Sequence, residues 1–343
     1  MKVLVTGDKG YIGSVLTNKL LVKGFEVKGI DANYYSDCLL EDVEENYEQI
    51  SKDIRDIKIE DLKGIDAIIH LAALSNDPLG EFDESLTEDI NFNATVELAS
   101  LSKKCGIKRF IFVSSQSMYG VSDIDTELDE EKSKKNPITA YAKTKWLSEV
   151  ELLKMCDKEF HVVCFRPSTV FGASPRLRCD IVFNNFVGCA YTTRKIEIKS
   201  DGSPWRPVIH IEDVCDALIS GLEAPVSIIS GKSYNVGIKN GNYTVKLLAE
   251  TAAKYIPNSE VIFTGEHGKD SRTYKVSFKR IYEDLSEWYK PKWDLDKGAQ
   301  QMISLFDSCN FSETDFRGSK TNRLIKLQEL IKNNKYNLNL RKI

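Results

Sequence analysis

Tyr141 and Lys145 are the two residues of this chain whose types and spacing point most directly to chemistry. They lie four residues apart in "ITAYAKTKWLSE", and in a helix this spacing puts both side chains on one face. An ammonium beside a phenol favours the phenolate, so the pair predicts a Tyr141 pKa lowered toward neutrality. Such a tyrosine can act as a general base toward a hydroxyl group. Because the pattern also occurs on solvated helices, its weight depends on the rest of the chain.

Three glycines form a second candidate site. Gly7, Gly10 and Gly13 follow the apolar run "KVLVT" and open a helical pattern in "VTGDKGYIGSVL". Glycine permits a tight turn between strand and helix, and it lets backbone N–H groups approach a pyrophosphate. The N-terminus of the following helix then stabilises the negative charge. The motif at this first strand-to-helix turn predicts a dinucleotide site.

Acidic residues after the next two strands indicate which dinucleotide is bound. Asp31 ends the second strand, eighteen residues after Gly13. A carboxylate there accepts hydrogen bonds from the adenosine ribose and repels a 2′-phosphate, which favours NAD. Lys9, inside the glycine motif, would suit a 2′-phosphate, but like-charge repulsion at Asp31 is hard to offset. Asp53, in "SKDIRD", is a candidate for the adenine amine, with a structural turn aspartate as the alternative.

These residues need a scaffold that brings strand ends together. The first half alternates apolar runs with helical patterns, which predicts an α/β fold of the Rossmann type with a doubly wound parallel sheet. Right-handed crossovers place the C-terminal ends of the strands on one rim, where ligands bind near the reversal of strand order. The predicted strands of this half are "KVLVT", "FEVKGID", "YEQIS", "DAIIHLA", "RFIFVSS" and "HVVCFRPS".

The second half is less regular and predicts a smaller α/β substrate domain. Its strand-like runs are "KIEIKS", "SYNVG" and "EVIFTG", and the tail "TNRLIKLQELIKNN" is typical of an amphipathic helix. We predict a dinucleotide-binding domain over residues 1–167 and a second domain over 168–343, with residues of about 205–222 returning to the first. The halves are expected to pack as one body with a cleft between them.

The composition argues against several other classes of function. The 343 residues carry a formal net charge of −4, with Lys and Arg spread along the chain, which argues against nucleic acid as a partner. The eight cysteines form no CxxC pair and no metal-ligand spacing with the four histidines. We therefore expect reduced thiols, no metal and a cytoplasmic location. Met1 leads directly into a strand pattern, and no apolar run is long enough to cross a membrane, so we expect neither a signal peptide nor a membrane span.

Taken together, the motifs resemble those of the extended short-chain dehydrogenase/reductase family, specifically its NAD-dependent nucleotide-sugar epimerases and dehydratases. The matching segments occur in the family's order and cover most of the chain. They are "TGDKGYIG", Asp31, "DIRD", "HLAA", "NFNAT", "SSQSMYG", Tyr141 with Lys145, "FRPSTVFG" and "DGSPWRPVIHIEDV". The resemblance implies NAD as cofactor, a nucleotide-activated sugar as substrate, and a homodimer formed through a helix bundle that includes the YxxxK helix.

The resemblance also implies a function for each residue of the site. Ser115 completes a catalytic triad with Tyr141 and Lys145 by hydrogen bonding the sugar hydroxyl that is oxidised, and Lys145 also holds the nicotinamide ribose. The implied cofactor-binding residues are Gly7, Gly10, Tyr11, Ile12, Gly13, Asp31, Asp53, Ile54, Leu71, Ala72, Ala73, Tyr141, Lys145 and Pro167. The implied substrate-binding residues are Asn76, Ser117, Arg178, Arg206 and Arg272. Arginine suits this function because its planar guanidinium contacts phosphate in a bidentate manner.

The two residues after Ser115 separate reactions within the family. The 4,6-dehydratases of the family have Asp-Glu there, whereas this chain has Gln116 and Ser117, so elimination lacks its usual proton donor and acceptor. We therefore expect hydride transfer at carbon 4, as in a 4-epimerase, with a 4-dehydrogenase or a keto-sugar reductase as alternatives. A catalytically silent, cofactor-binding regulatory protein is the alternative from another class, and the intact triad counts against it.

Overall fold

The structure, a computed structural model, describes residues 1–122, 126–265 and 273–343. Twelve strands lie within these residues. They are β1 (Lys2–Thr6), β2 (Glu26–Asp31), β3 (Glu48–Ser51), β4 (Ala67–His70), β5 (Arg109–Val113), β6 (His161–Pro167), β7 (Thr169–Phe171), β8 (Lys195–Ile198), β9 (Trp205–His210), β10 (Lys232–Val236), β11 (Asn242–Thr244) and β12 (Glu260–Phe263). Seven of them form one parallel sheet in the order β10-β6-β5-β4-β1-β2-β3.

Helices cover both faces of this sheet, and the predicted doubly wound α/β fold is confirmed. Within the described ranges the α-helices are α1 (Tyr11–Val22), α2 (Asp77–Gly80), α3 (Glu84–Glu88), α4 (Ala94–Lys104), α5 (Ala140–Met155), α6 (Val182–Thr193), α7 (Ile211–Glu223), α8 (Val226–Ile229), α9 (Val245–Lys254), α10 (Lys279–Asp284), α11 (Leu295–Ser308), α12 (Glu313–Arg317) and α13 (Arg323–Lys332). None of these helices combines the length and the apolar composition needed to span a membrane.

Alternation along the strands explains why both faces are covered. Successive side chains of a strand point to opposite sides of a sheet. Val3 and Val5 of β1 accordingly pack in the core with residues of α1 and α7, whereas Leu4 packs in a second core with residues of α4 and α5. Each face is apolar, so each face needs its own layer of helices.

The order of the strands reverses at β1, and this reversal creates a crevice. The chain adds β2 and β3 on one side of β1, and it adds β4, β5, β6 and β10 on the other. The loops that follow β1 and β4 therefore diverge at the C-terminal edge of the sheet, where ligands bind in folds of this class. Gly7 follows β1 at this edge, and Leu71 follows β4.

The second half of the chain forms two small sheets and also completes the main one. β9 lies between β7 and β11, and β8 pairs with β12. β10, which contains most of the predicted run "SYNVG", pairs with β6 at the edge of the main sheet. α7 packs against α1 on a face of that sheet. The division into two domains at residue 167 stays a prediction.

Candidate active site

A cleft of about 800 Å³ lies at the C-terminal ends of β1, β2, β4, β5 and β6 and extends to residues of the second half. It brings together every described residue that the sequence predicted for the site. These are Gly7, Gly10, Tyr11, Ile12, Gly13, Asp31, Asp53, Ile54, Leu71, Ala72, Ala73, Asn76, Ser115, Ser117, Tyr141, Lys145, Pro167, Arg178 and Arg206. The remaining candidate, Arg272, lies outside the described residues.

The glycine turn in this cleft leaves no room for side chains. Gly7 has a φ of +76°, in the left-handed region that favours glycine. A Cβ atom on Gly13 would lie 2.1 Å from the carbonyl oxygen of Gly7, so a glycine is needed for α1 to begin this close to β1. Gly10 is the N-cap residue of α1. The backbone N–H groups at the N-terminus of α1 therefore border the cleft without side chains covering them, and this arrangement fits a diphosphate.

The loop after β4 is held in place by a side chain of the "NFNAT" motif. Asn91 accepts a hydrogen bond from the Leu74 N–H at 2.8 Å and donates one to the Leu74 carbonyl at 3.1 Å. At the start of the same loop, the Ala72 N–H donates to the Thr6 hydroxyl at 3.3 Å. These bonds fix the backbone of residues 71–74 beside the glycine turn.

Asp31, at the end of β2, is oriented by two backbone N–H groups. Its Oδ2 accepts from Lys9 at 3.2 Å, and its Oδ1 accepts from Asn33 at 2.7 Å. Burial raises the pKa of Asp31, and these two hydrogen bonds oppose the rise. The Lys9 ammonium lies 2.6 Å from a carboxylate oxygen of Glu45. Because this charge is already paired, Lys9 is a weaker argument for a 2′-phosphate than the sequence alone indicated.

Asp53 has protein partners at both carboxylate oxygens. Oδ1 accepts from Nε of Arg55 at 3.0 Å, Oδ2 accepts from Nη2 at 2.6 Å, and the Tyr34 hydroxyl oxygen lies 3.2 Å from Oδ2. Burial would raise the pKa of Asp53, but its interactions with Arg55 and Arg341 hold that pKa below its usual range. The structural alternative proposed for Asp53 therefore accounts for its contacts.

Ser115, Ser117 and Tyr141 form a hydrogen-bonded group in the cleft. Ser115 caps a short turn after β5: its Oγ accepts from the Ser117 N–H at 3.1 Å and from the Ser117 hydroxyl at 2.9 Å. Tyr141 lies in the first turn of α5, whose N-cap residue is Thr139. Burial raises the pKa of Tyr141 to about 12, and a hydrogen bond with Ser115 opposes the rise.

Lys145 lies one turn further along α5, and its ammonium contacts a carbonyl rather than the phenol. Nζ donates to the Val113 carbonyl at 2.7 Å. Burial lowers the pKa of Lys145 to about 7. The prediction that Lys145 lowers the Tyr141 pKa toward neutrality is wrong for this geometry, because burial of the phenol dominates. The cation whose charge opposes that rise is Arg178.

Gln116 borders the cleft and uses its amide to hydrogen bond with a neighbouring strand. It is buried, and its Nε2 donates to the Arg166 carbonyl at the end of β6 at 3.0 Å. Its Oε1 has no hydrogen-bond partner in the described part of the chain. Ser117 lies beside Ser115 and offers only a hydroxyl. Neither position carries a carboxylate.

A second polar group in the cleft surrounds an ion pair. Arg178 donates from Nε and Nη2 to the two oxygens of Asp180, each at 2.9 Å, and from Nη1 to the Ser75 hydroxyl at 2.8 Å. Asn76 donates to Oδ2 of Asp180 at 3.1 Å. Two of these residues, Arg178 and Asn76, were predicted. Asp180 was not, although a carboxylate two residues after an arginine in "RLRCD" is a detectable signal.

Arg323 is another charged cleft residue that the sequence did not predict. It is the first residue of α13, and its Nη2 donates to the Arg176 carbonyl at 2.7 Å, across 147 positions of the chain. No local pattern signals a contact over that distance. Arg206, by contrast, was predicted for the site; it lies on β9, and its Nη1 donates to the Trp205 carbonyl at 2.9 Å.

A parallel sheet with a glycine cradle at its first turn, followed along the same cleft by Ser115, Tyr141 and Lys145, defines a dinucleotide-dependent enzyme of the short-chain dehydrogenase/reductase class. The chain belongs to the NAD dependent epimerase/dehydratase family, whose model matches residues 3–237. The family resemblance predicted from the motifs is confirmed, and NAD is the cofactor of this family.

Known relatives carry out more than one reaction. The chain is 26% identical over 323 residues to the dTDP-D-glucose 4,6-dehydratase of Mus musculus, covering 89% of this chain and 88% of the relative. It is 27% identical over 322 residues to the UDP-glucose 4-epimerase of Mycolicibacterium smegmatis, covering 89% and 98%. The solved UDP-glucose 4-epimerase of Thermotoga maritima with UDP-glucose shares the fold, with a TM-score of 0.78, 23% identity, and 90% and 99% of the two chains covered. Family membership therefore does not decide the reaction.

Proposed function

We propose that the protein transfers a hydride between NAD and carbon 4 of a nucleotide-activated sugar, as a 4-epimerase does, with Tyr141 as the proton acceptor. The observation that supports this most is the presence of Ser115, Tyr141 and Lys145 in one cleft with the glycine turn. NAD supplies the hydride chemistry when it is bound. A sugar hydroxyl held by Ser115 and Tyr141 would lose its proton to Tyr141 as the hydride leaves the carbon.

Separate parts of the chain would hold the cofactor. The N-terminus of α1 at Gly10 and Gly13 suits the diphosphate, since its backbone is uncovered. The Asp31 carboxylate, oriented by two N–H groups, suits the hydroxyls of the adenosine ribose. The backbone of residues 71–74, which Asn91 fixes, forms the neighbouring wall.

The protonation states of Tyr141 and Lys145 fit a reaction that runs in both directions. With a pKa of about 12, the Tyr141 phenol is protonated at neutral pH, which is the state that returns a proton to a sugar carbonyl. In the oxidising direction the phenol must lose its proton. Lys145, with a pKa of about 7, is partly neutral near pH 7 and is the basic group one turn away on α5.

The substrate-binding residues divide into two kinds. Arg178 already forms two hydrogen bonds with Asp180, so its charge is largely neutralised. This pair and Asn76 offer both donors and acceptors, which suits sugar hydroxyls better than phosphate. We therefore propose that Arg178 and Asp180 bind the sugar, and that Arg206 binds the diphosphate of the substrate.

We also propose that the protein is a homodimer that uses α5, the helix that carries Tyr141. Leu147 on this helix is 45% exposed, although it is a large apolar side chain. The proposal rests on the family resemblance, which implies a dimer through this helix, and a second copy packed there would bury this side chain.

A 4,6-dehydratase is the second candidate, because a relative with that activity in its name is 26% identical to the chain. That reaction needs an acid and a base near the leaving hydroxyl. The Gln116 amide and the Ser117 hydroxyl do not titrate near neutrality. A 4-dehydrogenase or keto-sugar reductase shares the hydride step and differs in whether the reduced cofactor leaves the enzyme.

One experiment separates these reactions. The purified protein is incubated with NAD and a panel of nucleotide sugars, and the products are analysed by chromatography and mass spectrometry. A product of unchanged mass and new retention time shows epimerisation, and a loss of two mass units shows oxidation. No change with any sugar, despite measurable NAD binding, would favour the catalytically silent alternative.

We expect no elimination of water from a nucleotide hexose at a useful rate, since Gln116 and Ser117 replace both carboxylates. The measurement is the same mass analysis, with an authentic 4,6-dehydratase run in parallel as a positive control. A product lighter by eighteen mass units, formed by this protein alone, would overturn the assignment of the reaction.

The preference for NAD over NADP is expected to depend on Asp31. Asp31→Ala removes the ribose acceptor and the charge that repels a 2′-phosphate, so the affinity ratio of the two cofactors should shrink by about tenfold. Calorimetric titration of both cofactors measures this ratio. Asp157→Ala, a change at a more exposed aspartate that pairs with Lys103 away from the cleft, is the matched control. An unchanged ratio in Asp31→Ala would show that another residue selects the cofactor.

A further inference from the structure

The last 22 residues of the chain, 322–343, fold back onto the predicted adenosine end of the cleft, and we call them the C-terminal strap. The Tyr34 hydroxyl donates to the Leu340 carbonyl at 2.9 Å, and Nη2 of Arg55 donates to the Asn339 carbonyl at 2.9 Å. Nη1 of Arg341 lies 2.6 Å from a carboxylate oxygen of Asp56. The strap is therefore bonded to the loops that follow β2 and β3.

Arg323 brings a buried positive charge from the strap into the cleft. It is 2% exposed, and it lines the cleft. Its Nη2 donates to the Arg176 carbonyl, and its guanidinium lies 4.4 Å from the centre of the Tyr35 ring. Nη1 has no hydrogen-bond partner among the residues that the structure describes. The Asp180 carboxylate acts on the charge of Arg323, but it is already hydrogen bonded to Arg178. A buried guanidinium without a hydrogen-bonded carboxylate of its own is costly, so its retention points to an anionic ligand.

The neighbours of Arg323 indicate which ligand this is. Arg176 belongs to a segment that lies on the first turn of α1: the Ser174 hydroxyl donates to the Tyr11 carbonyl at 2.9 Å. Tyr35 follows Asp31 by four residues and also lines the cleft. Arg323 is thus anchored between the helix N-terminus that suits a diphosphate and the carboxylate that suits the adenosine ribose.

We propose that Arg323 binds the diphosphate of the dinucleotide together with the N-terminus of α1, so that the C-terminal strap is part of the cofactor site. This inference requires only that the protein binds NAD, and it does not depend on which sugar reaction is catalysed. The other contacts of the strap, at Asn339, Leu340 and Arg341, would hold Arg323 in place. Cofactor binding would therefore depend on the strap being folded against the loops after β2 and β3.

Calorimetric titration of Arg323→Gln with NAD, ADP-ribose and adenosine tests the proposal. Loss of a charge-assisted contact should weaken NAD and ADP-ribose by about ten- to a hundredfold and leave adenosine within about twofold. Arg323→Lys keeps the charge and should lie between wild type and Arg323→Gln. Lys320→Gln, outside both the strap and the cleft lining, removes the pair with Asp315 and should leave all three affinities unchanged.

Thermal unfolding with and without NAD distinguishes a ligand-binding Arg323 from one that only stabilises the fold. Without NAD, Arg323→Gln should be at least as stable as wild type, because an uncompensated buried charge is removed. The rise in melting temperature on adding NAD should be smaller than in wild type. Equal losses for adenosine and ADP-ribose, or no loss for any of the three ligands, would each overturn the proposal.

Discussion

Replacing Tyr141 with Phe is expected to lower turnover of the true nucleotide-sugar substrate by about two to four orders of magnitude, the usual range for loss of a general acid–base group. The phenol oxygen interacts with the Ser115 hydroxyl, and its loss removes the proposed proton-transfer group. The ring remains in its pocket, so NAD affinity should change little. Steady-state kinetics and calorimetric titration of NAD on the same preparation measure the two quantities.

A matched control for this prediction is Tyr282→Phe. The Tyr282 hydroxyl accepts a hydrogen bond from the Lys239 N–H at 3.1 Å and does not line the cleft. Tyr282→Phe therefore removes a phenol oxygen, as Tyr141→Phe does, but at a position outside the cleft. The turnover of this variant should stay close to that of wild type. If Tyr141→Phe also turns over like wild type, the Tyr141 phenol does not transfer the proton, and the regulatory alternative gains support.

Glu149→Gln is expected to destabilise the protein by about 3–5 kcal/mol, because it leaves a buried guanidinium without its counter-charge. Glu149 and Arg166 are 0% and 2% exposed, and Nε of Arg166 donates to Oε1 of Glu149 at 3.1 Å. Ser233 donates to the same carboxylate at 2.6 Å. These bonds join α5, the helix of the catalytic pair, to β6 and β10. Urea unfolding followed by circular dichroism measures the free energy.

The control is Glu151→Gln, two residues away on the same helix, which removes the same negative charge at an exposed position. Glu151 forms a solvent-exposed pair with Lys154, and such pairs contribute at most about 1 kcal/mol. A loss below about 1 kcal/mol in Glu149→Gln as well would mean that the charge of Arg166 is satisfied by other groups, and that the pair does not hold α5 against the sheet.

The sequence by itself determined six of the seven strands of the main sheet, whereas the seventh, β10, was predicted as part of the second half. The run "KVLVT" is β1, and "HVVCFRPS" contains β6 with one further residue. Such runs can be recognised because the spacing of apolar residues in strands and helices is a local property of the chain. Strands β7 and β11, with three residues each, were not predicted because so short a run shows no period.

The sequence also determined which motifs share a cleft. The glycine turn and the pair Tyr141 and Lys145 each depend on spacing within a single turn or helix. Once a parallel sheet is predicted, the ends of its strands meet at one edge, and the cleft lining agrees with this. What these residues bind was implied by the family resemblance rather than by their spacing.

Only the tertiary structure decided the electrostatics of the site. Lys145 donates to Val113, 32 residues away, and burial sets the pKa of Tyr141 in the direction opposite to the one predicted. Arg323 reaches Arg176 across 147 positions. Desolvation depends on every group packed around a side chain, and those groups come from distant parts of the chain. Spacing in the sequence therefore shows which groups can meet, whereas packing determines their charge and their partners.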